Sequence, residues 1–323
     1  MFTRLRRSAV VRLPGMRRTL FAGVLAASVA VPLSGSEVPA PAPVREVWGS
    51  AEGRYAAVRE GILAAGRTAA EHGQARRAEV LRGMAAPGRR FLFFDGRDGG
   101  RAAEVFGDLA GAERVVVVVP GSDTGLDTYG LLYAGALALH RELNGREPGA
   151  RETGGRETAG RVAVVAWLGY RTPGTMDAAL LTTGRADEAV PRLQAFVREL
   201  GGARVSLLCH SYGAVVCGRA AGGLGAVAGI VLYGAPGTGT DTPLRTSAPV
   251  WAARTSADWI ALVPHVRLRL PFLALGLGLD PVSPSSGARV FAAGDGGHSD
   301  YLRPGSLFLR NVAGIVSGAG PDA

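Results

Sequence analysis

The sequence contains no lysine, so all 36 of its cationic residues are arginines. A formal net charge of +9 raises nucleic acid as a partner. The distribution argues against it. Arg4, Arg6, Arg7, Arg12, Arg17 and Arg18 crowd the first 18 residues, and setting those six aside leaves 30 basic against 27 acidic residues. Nor does the rest of the chain interleave basic clusters with aromatic platforms, as a nucleic-acid surface requires. The abundance of Ala, Gly and Arg reads instead as coding bias from a GC-rich genome. Cysteine is nearly absent too, with only Cys209 and Cys217 present. No Cys/His cluster has metal-ligand spacing, so neither a zinc site nor any other metal or cofactor is expected. Cys209 falls at a strand end and Cys217 two turns into the following helix. That separation reads as too wide for a disulfide, and both are expected to be small buried apolar residues.

The apolar run Leu20–Leu33 is uncharged over 14 residues, the length of a signal-peptide core and short for a membrane span. No Cys lies directly after it, which argues against a lipid anchor. Residues 1–36 are therefore expected to be a signal peptide or a membrane anchor, with small residues offering cleavage within 31–43. Residues 37–49 read as a Pro-rich linker, 50–317 as the folded domain and 318–323 as a tail. Either fate of the leader exports the domain, secreted or on the outer face of the cytoplasmic membrane.

In the domain, residues 50–85 have helical periodicity and predict one or two helices. Strands are expected at Arg90–Asp95, Arg101–Phe106 and Arg114–Pro120, the last apolar on both faces as in a central parallel strand. A helix over Asp127–Leu143 follows, with Asp127 as N-cap. Asn144–Gly160 is Gly-rich with almost nothing to bury and predicts a surface loop. Strands at Val162–Leu168, Val205–Cys209, Gly229–Tyr233, Val250–Ala253 and Ala288–Ala293 alternate with helices at Ala186–Leu200, after Ser211, and at Leu307–Val316. This alternation predicts an α/β fold, a doubly wound, mainly parallel sheet with helices on both faces, in α/β-hydrolase order.

The chemistry concentrates at Val205–Arg219, VSLLCHSYGAVVCGR. A buried strand, a turn on Ser211 and an apolar helix make a nucleophile elbow, which pushes the Ser hydroxyl out of the sheet toward a helix N-terminus. Such a turn needs small residues on both sides of Ser. Gly213 supplies one, and Cys209 stands where Gly is usual. A Ser nucleophile needs a base, an orienting acid and oxyanion donors. His298, in GDGGHSDY after the last strand, is the expected base. His210 adjoins Ser211 and is expected to point away. For the acid, Asp258 in ARTSADWI is favoured and Asp280 in GLDPVSP is the alternative, with Asp295 or Asp300 beside the base as further candidates. The backbone N–H groups of Tyr212 and Ser122, the latter in the PGSDTG loop after the third strand, are the expected oxyanion donors. Leu270–Leu279 is apolar and reads either as pocket lining or as core.

The runs VVVVVPGSDTG, WLGY, HSYG, GLDP…GARVF and GGHSDY together resemble a family of exported α/β-hydrolases from GC-rich bacteria, largely of unknown function. The resemblance spans roughly residues 88–316. It implies a serine hydrolase with Ser211 as nucleophile and His298 as base, and it supplies no substrate. Carboxylic ester hydrolysis without a cofactor is the expected activity, on a small-molecule or lipid-like ester. Membrane association would come only through the N-terminal segment. An amidase or peptidase acting on cell-wall or secreted peptides is the alternative. A non-catalytic, hydrolase-like surface protein is another.

Overall fold

A computed structural model describes residues 39–43, 51–145, 161–269, 271 and 274–321. The leader of residues 1–36, most of the linker and the loop over 146–160 lie outside the described residues. Among those described, no helix is long and apolar enough to cross a membrane.

Helices α1 (Ala51–Glu71) and α2 (Ala75–Met84) pack against each other and flank the first strands. In α1 the buried residues Val58, Ile62, Ala65 and Ala69 recur every three or four positions, which aligns them on one face. Strands β1 (Arg90–Asp95) and β2 (Arg101–Phe106) form an antiparallel hairpin. The parallel core follows: β3 (Arg114–Val119), β4 (Val162–Leu168), β5 (Arg204–His210), β6 (Gly229–Tyr233) and β7 (Val250–Ala253). A short ribbon pairs β8 (Leu268–Arg269) with β9 (Ala274–Leu275), and β10 (Arg289–Val290) closes the main sheet beside β7. The eight strands lie in the order β1-β2-β4-β3-β5-β6-β7-β10.

Alternation along the central strands explains the two-layer core. In β3, Val116 and Val118 face one hydrophobic cluster, while Val115, Val117 and Val119 face the other. The first cluster includes residues of α1, α2, α3 (Tyr129–Leu143) and α6 (Leu307–Ser317). The second includes residues of α4 (Gly184–Glu199) and α5 (Tyr212–Ala220). A sheet covered on both faces needs apolar side chains at every position, which is why β3 and β4 contain nearly continuous Val and Ala. Because β3 through β7 and β10 run parallel, their C-terminal ends share one edge, where the connecting loops can converge.

Three local expectations are corrected. The helix expected from Asp127 begins at Tyr129, after a single 3₁₀ turn over Leu126–Thr128. Asp127 does not cap it; instead its carboxylate accepts two hydrogen bonds from Arg77 at 2.6 Å, tying the turn to α2. The last strand covers only Arg289–Val290 rather than Ala288–Ala293, because β7 offers it just two paired positions. Most consequentially, Cys209 and Cys217 form a disulfide, with Cα atoms 6.5 Å apart. The elbow folds α5 back over the end of β5, so the second turn of the helix returns above the strand that precedes it.

Candidate active site

Ser211 joins β5 to α5 with φ 51° and ψ −124°, a conformation that non-Gly residues rarely adopt. Neighbouring backbone holds it there. The Ser211 N–H donates to Tyr233 O at 3.0 Å, and the Ala214 N–H donates to Ser211 O at 2.9 Å. The need for Gly213 is steric, since a Cβ there would stand 2.5 Å from Pro120 O and 2.6 Å from Val119 O. At the other small position, Cys209 is fully buried and bonded to Cys217, so covalent attachment to α5 takes the place of the usual Gly.

Three of the residues singled out from sequence come together. His298 Nε2 lies 3.0 Å from Ser211 Oγ. On the far side of the ring, His298 Nδ1 lies 2.9 Å from Asp258 Oδ1 and 3.1 Å from Oδ2. Asp258 enters from the turn after β7, is buried, and accepts further bonds from the Ile260 N–H at 2.9 Å and the Tyr301 hydroxyl at 2.6 Å. Burial pushes its carboxyl up, but these hydrogen bonds outweigh burial and hold it below the ordinary carboxylate value. Gly234, at φ 55°, supplies the floor. A Cβ there would press within 3.1–3.3 Å of Asp258 Oδ2, the Tyr301 ring and the His298 ring.

Asp280 is elsewhere. It makes an ion pair with Arg254 at 2.7 Å, beside His265, and fastens the segment between β7 and β10 to the sheet. Asp300 binds the Gly297 N–H at 2.9 Å, shaping the turn that carries His298, and Asp258 rather than Asp300 faces the imidazole. His210, expected to point away from Ser211, packs against His298. Its Nε2 hydrogen-bonds the backbone carbonyl of His298 at 2.8 Å, and the two rings stand 4.7 Å apart. Desolvation, reinforced by the neighbouring His298, pushes the pKa of His210 down to about 4, so this imidazole is neutral and donates through Nε2.

The loop after β3 lies directly against the elbow. A Cβ on Gly121 would fall 2.6 Å from Ser211 Cβ, which brings the backbone around Gly121 and Ser122 to Ser211. The loop is tethered from below: the Tyr170 hydroxyl donates to Pro120 O at 2.7 Å, Thr172 Oγ1 to Thr124 O at 2.8 Å, and the Thr175 N–H to Asp123 at 2.9 Å. Tyr212 opens α5, so no carbonyl one turn earlier in the helix is available to its N–H. Its phenol is directed away, donating to Thr182 O at 2.7 Å.

Sequence reading assigned no role to Tyr301, Trp259 or Tyr170. Tyr301 lies within the GGHSDY run, and its proximity to His298 was the available signal. Trp259, half exposed, covers the imidazole at 4.9 Å between centroids, and its position directly after Asp258 puts it there. Among the described residues of Leu270–Leu279, none lines the cavity beside the site. Within that segment Leu277 is buried in the core under α5, and residues 270, 272 and 273 lie outside the described residues.

A family model described as "Alpha/beta hydrolase" matches residues 95–268, more than half of the chain. The chain belongs to this alpha/beta hydrolase family. No curated protein matches the sequence. Among solved structures, the hydrolase is similar to a serine hydrolase without a lid from Xanthomonas campestris, at 20% identity and TM-score 0.43, covering 72% of this chain and 94% of that one. It is also similar to a dienelactone hydrolase from Anabaena variabilis, at 15% identity and TM-score 0.40, covering 68% and 90%.

Proposed function

We propose that this alpha/beta hydrolase is a serine hydrolase acting on carboxylic esters. The observation that carries the reading is the unbroken chain from Ser211 Oγ through both nitrogens of His298 to the buried carboxylate of Asp258. Ser211 Oγ attacks the ester carbonyl while His298 Nε2 takes its proton. The oxyanion that forms is held by the N–H groups of Tyr212 and Ser122. The imidazolium then gives the proton to the departing alkoxide, leaving an acyl-enzyme. A water molecule repeats the sequence, losing its proton to His298 and releasing the carboxylic acid and free Ser211. Asp258 holds the Nδ1 proton in place and stabilises the imidazolium throughout. No step calls for a cofactor.

We place this activity outside the cytoplasmic membrane. Support comes from the Cys209–Cys217 disulfide, since such bonds persist in oxidising compartments, and from the apolar segment at Leu20–Leu33. N-terminal sequencing of exported protein should give a start within residues 31–43.

The test of the reaction is labelling with a fluorophosphonate followed by peptide mapping. The label should fall on Ser211 and disappear in Ser211→Ala, whose turnover should drop at least ~10³-fold. Modification of a different serine would refute the assignment. Matched ester and amide substrates, assayed together, decide the bond: faster amide cleavage would replace the esterase reading with an amidase.

A further inference from the structure

We propose that the groove between α3 and the loop of residues 299–305 seats an aliphatic chain, making the favoured substrates esters of medium-length or long alkyl chains. The proposal deepens the ester-hydrolase reading above and rests on it. The groove is a cavity of about 760 Å³. One end is bounded by Gly121 and His298, which both adjoin Ser211, so the cavity is continuous with the reacting centre.

From there it follows α3. The lining positions from Leu131 to Arg141 span eleven residues, about 15 Å along a helix. The α3 wall contributes Leu131, Leu132 and Leu137, and the facing wall contributes Leu302, Pro304 and Leu309. Small residues on the helix leave the space open: Ala134 and Ala138 stand where larger side chains would fill it. At Gly135 the two walls meet, and a Cβ there would reach within 2.9 Å of Leu302. The charged lining groups are Arg141, Glu142 and Arg303, and the rest of the lining combines Leu, Ala, Gly and Pro with the polar side chains of Thr124, Tyr133, Ser299 and Tyr301.

This pattern selects among substrates. A peptide or a sugar carries amide or hydroxyl groups along its whole length, and those lying against the Leu, Ala and Pro surfaces would lose water without a partner to replace it. A methylene chain loses nothing polar and gains burial at each carbon. Leu131 fits the same reading. It is 65% exposed, an apolar side chain on the groove wall whose cover would be the bound chain.

The experiment is a chain-length series of p-nitrophenyl esters, acetyl through dodecanoyl, together with alkyl acetates of matching length. Wild type, Ala134→Trp and Leu131→Asp are compared. Ala134 and Leu131 are exposed positions outside the catalytic machinery, and Leu131→Asp stands in if the tryptophan variant misfolds. In at least one series wild-type kcat/KM should rise about tenfold or more between the two-carbon and eight-carbon members, a modest fraction of full methylene burial. Both variants should lose most of that rise while keeping acetyl ester turnover within about twofold. Turnover of short esters with flat profiles in both series would overturn the groove assignment and leave the esterase reading standing. A rise that both folded variants leave unchanged would overturn it as well. Absence of turnover on every ester would overturn the esterase reading, and the groove proposal with it.

Discussion

Replacing Asp258 by Asn tests the site most sharply, because the surrounding hydrogen bonds dictate what the amide can do. Asp258 Oδ1 accepts from the Ile260 N–H at 2.9 Å, so an amide NH₂ at that position would face another donor. The Oδ2 position faces the Tyr301 hydroxyl at 2.6 Å, and a hydroxyl can rotate to accept. In Asp258→Asn the carbonyl oxygen therefore stays at Oδ1, where it still accepts the Nδ1 proton of His298. The imidazole keeps its productive tautomer. What disappears is the negative charge that stabilises the imidazolium. With charge centres about 4 Å apart and an effective dielectric constant of about 20, that attraction is about 4 kcal/mol. Lost from the transition state, it slows the reaction about 10³-fold. Asp258→Ala also frees the ring to reorient and should cost ~10⁴-fold. The assay is kcat/KM on a short p-nitrophenyl ester, with a melting curve to show that each variant is folded. A loss of less than tenfold in Asp258→Asn would refute the role given to the carboxylate. A loss equal to that of Asp258→Ala would refute the argument from Ile260 and Tyr301, since it would mean that the amide had flipped.

Three further outcomes follow from the same geometry. Asp280→Asn should leave kcat/KM within a few-fold of wild type yet cost about 2 kcal/mol in denaturant unfolding, because it leaves the half-buried Arg254 without its ion-pair partner. Cys217→Ala, or reduction of the wild type, should lower stability by about 2–3 kcal/mol, the loop-closure value for a bridge across so short a segment. An unchanged melting temperature under reducing conditions would contradict this. His210 has a pKa near 4 when folded and 6.5 as its ordinary value, so over that interval the unfolded chain binds the extra proton. Its contribution to stability is present above about pH 6.5 and is lost as pH falls toward 4. The melting temperature should decline with acidification over that window, and His210→Phe should flatten the slope.

The parts of the molecule legible in the sequence are those governed by local rules. Five consecutive valines in Arg114–Val119 fit only a strand buried on both faces, and the small residues flanking Ser211 fit only a tight strand-to-helix turn. The positions of Ser211 and His298 at strand ends follow from that order. What was not legible depends on angles and distant partners. Whether Cys209 reaches Cys217 depends on how sharply α5 folds back, which no spacing encodes. Asp258 and Asp280 both precede turns. They separate in space only because Arg254 claims one and His298 faces the other. Leu270–Leu279 reads equally as pocket lining or as core, because hydropathy reports that a segment is apolar, not what it faces. In the fold, the groove wall comes from the exposed flank of α3, whose periodicity marks a surface helix. Tyr301 could be noticed only as a neighbour of His298, since its partner Asp258 lies 43 residues away.

The three residues of the proposed site arrive on loops that follow β5, β7 and β10, and Ser211 is 87 residues from His298. No fragment ending before His298 can therefore hold a complete site, however well its sheet has formed. A ribosome-bound chain remains inert through most of its synthesis, and proteolytic removal of the last strand and helix would silence the enzyme while leaving the elbow intact. On the proposed reading, ester turnover during refolding is thus a late clock. It starts only when the edge strand has docked, and its lag behind the recovery of circular dichroism would time that final step.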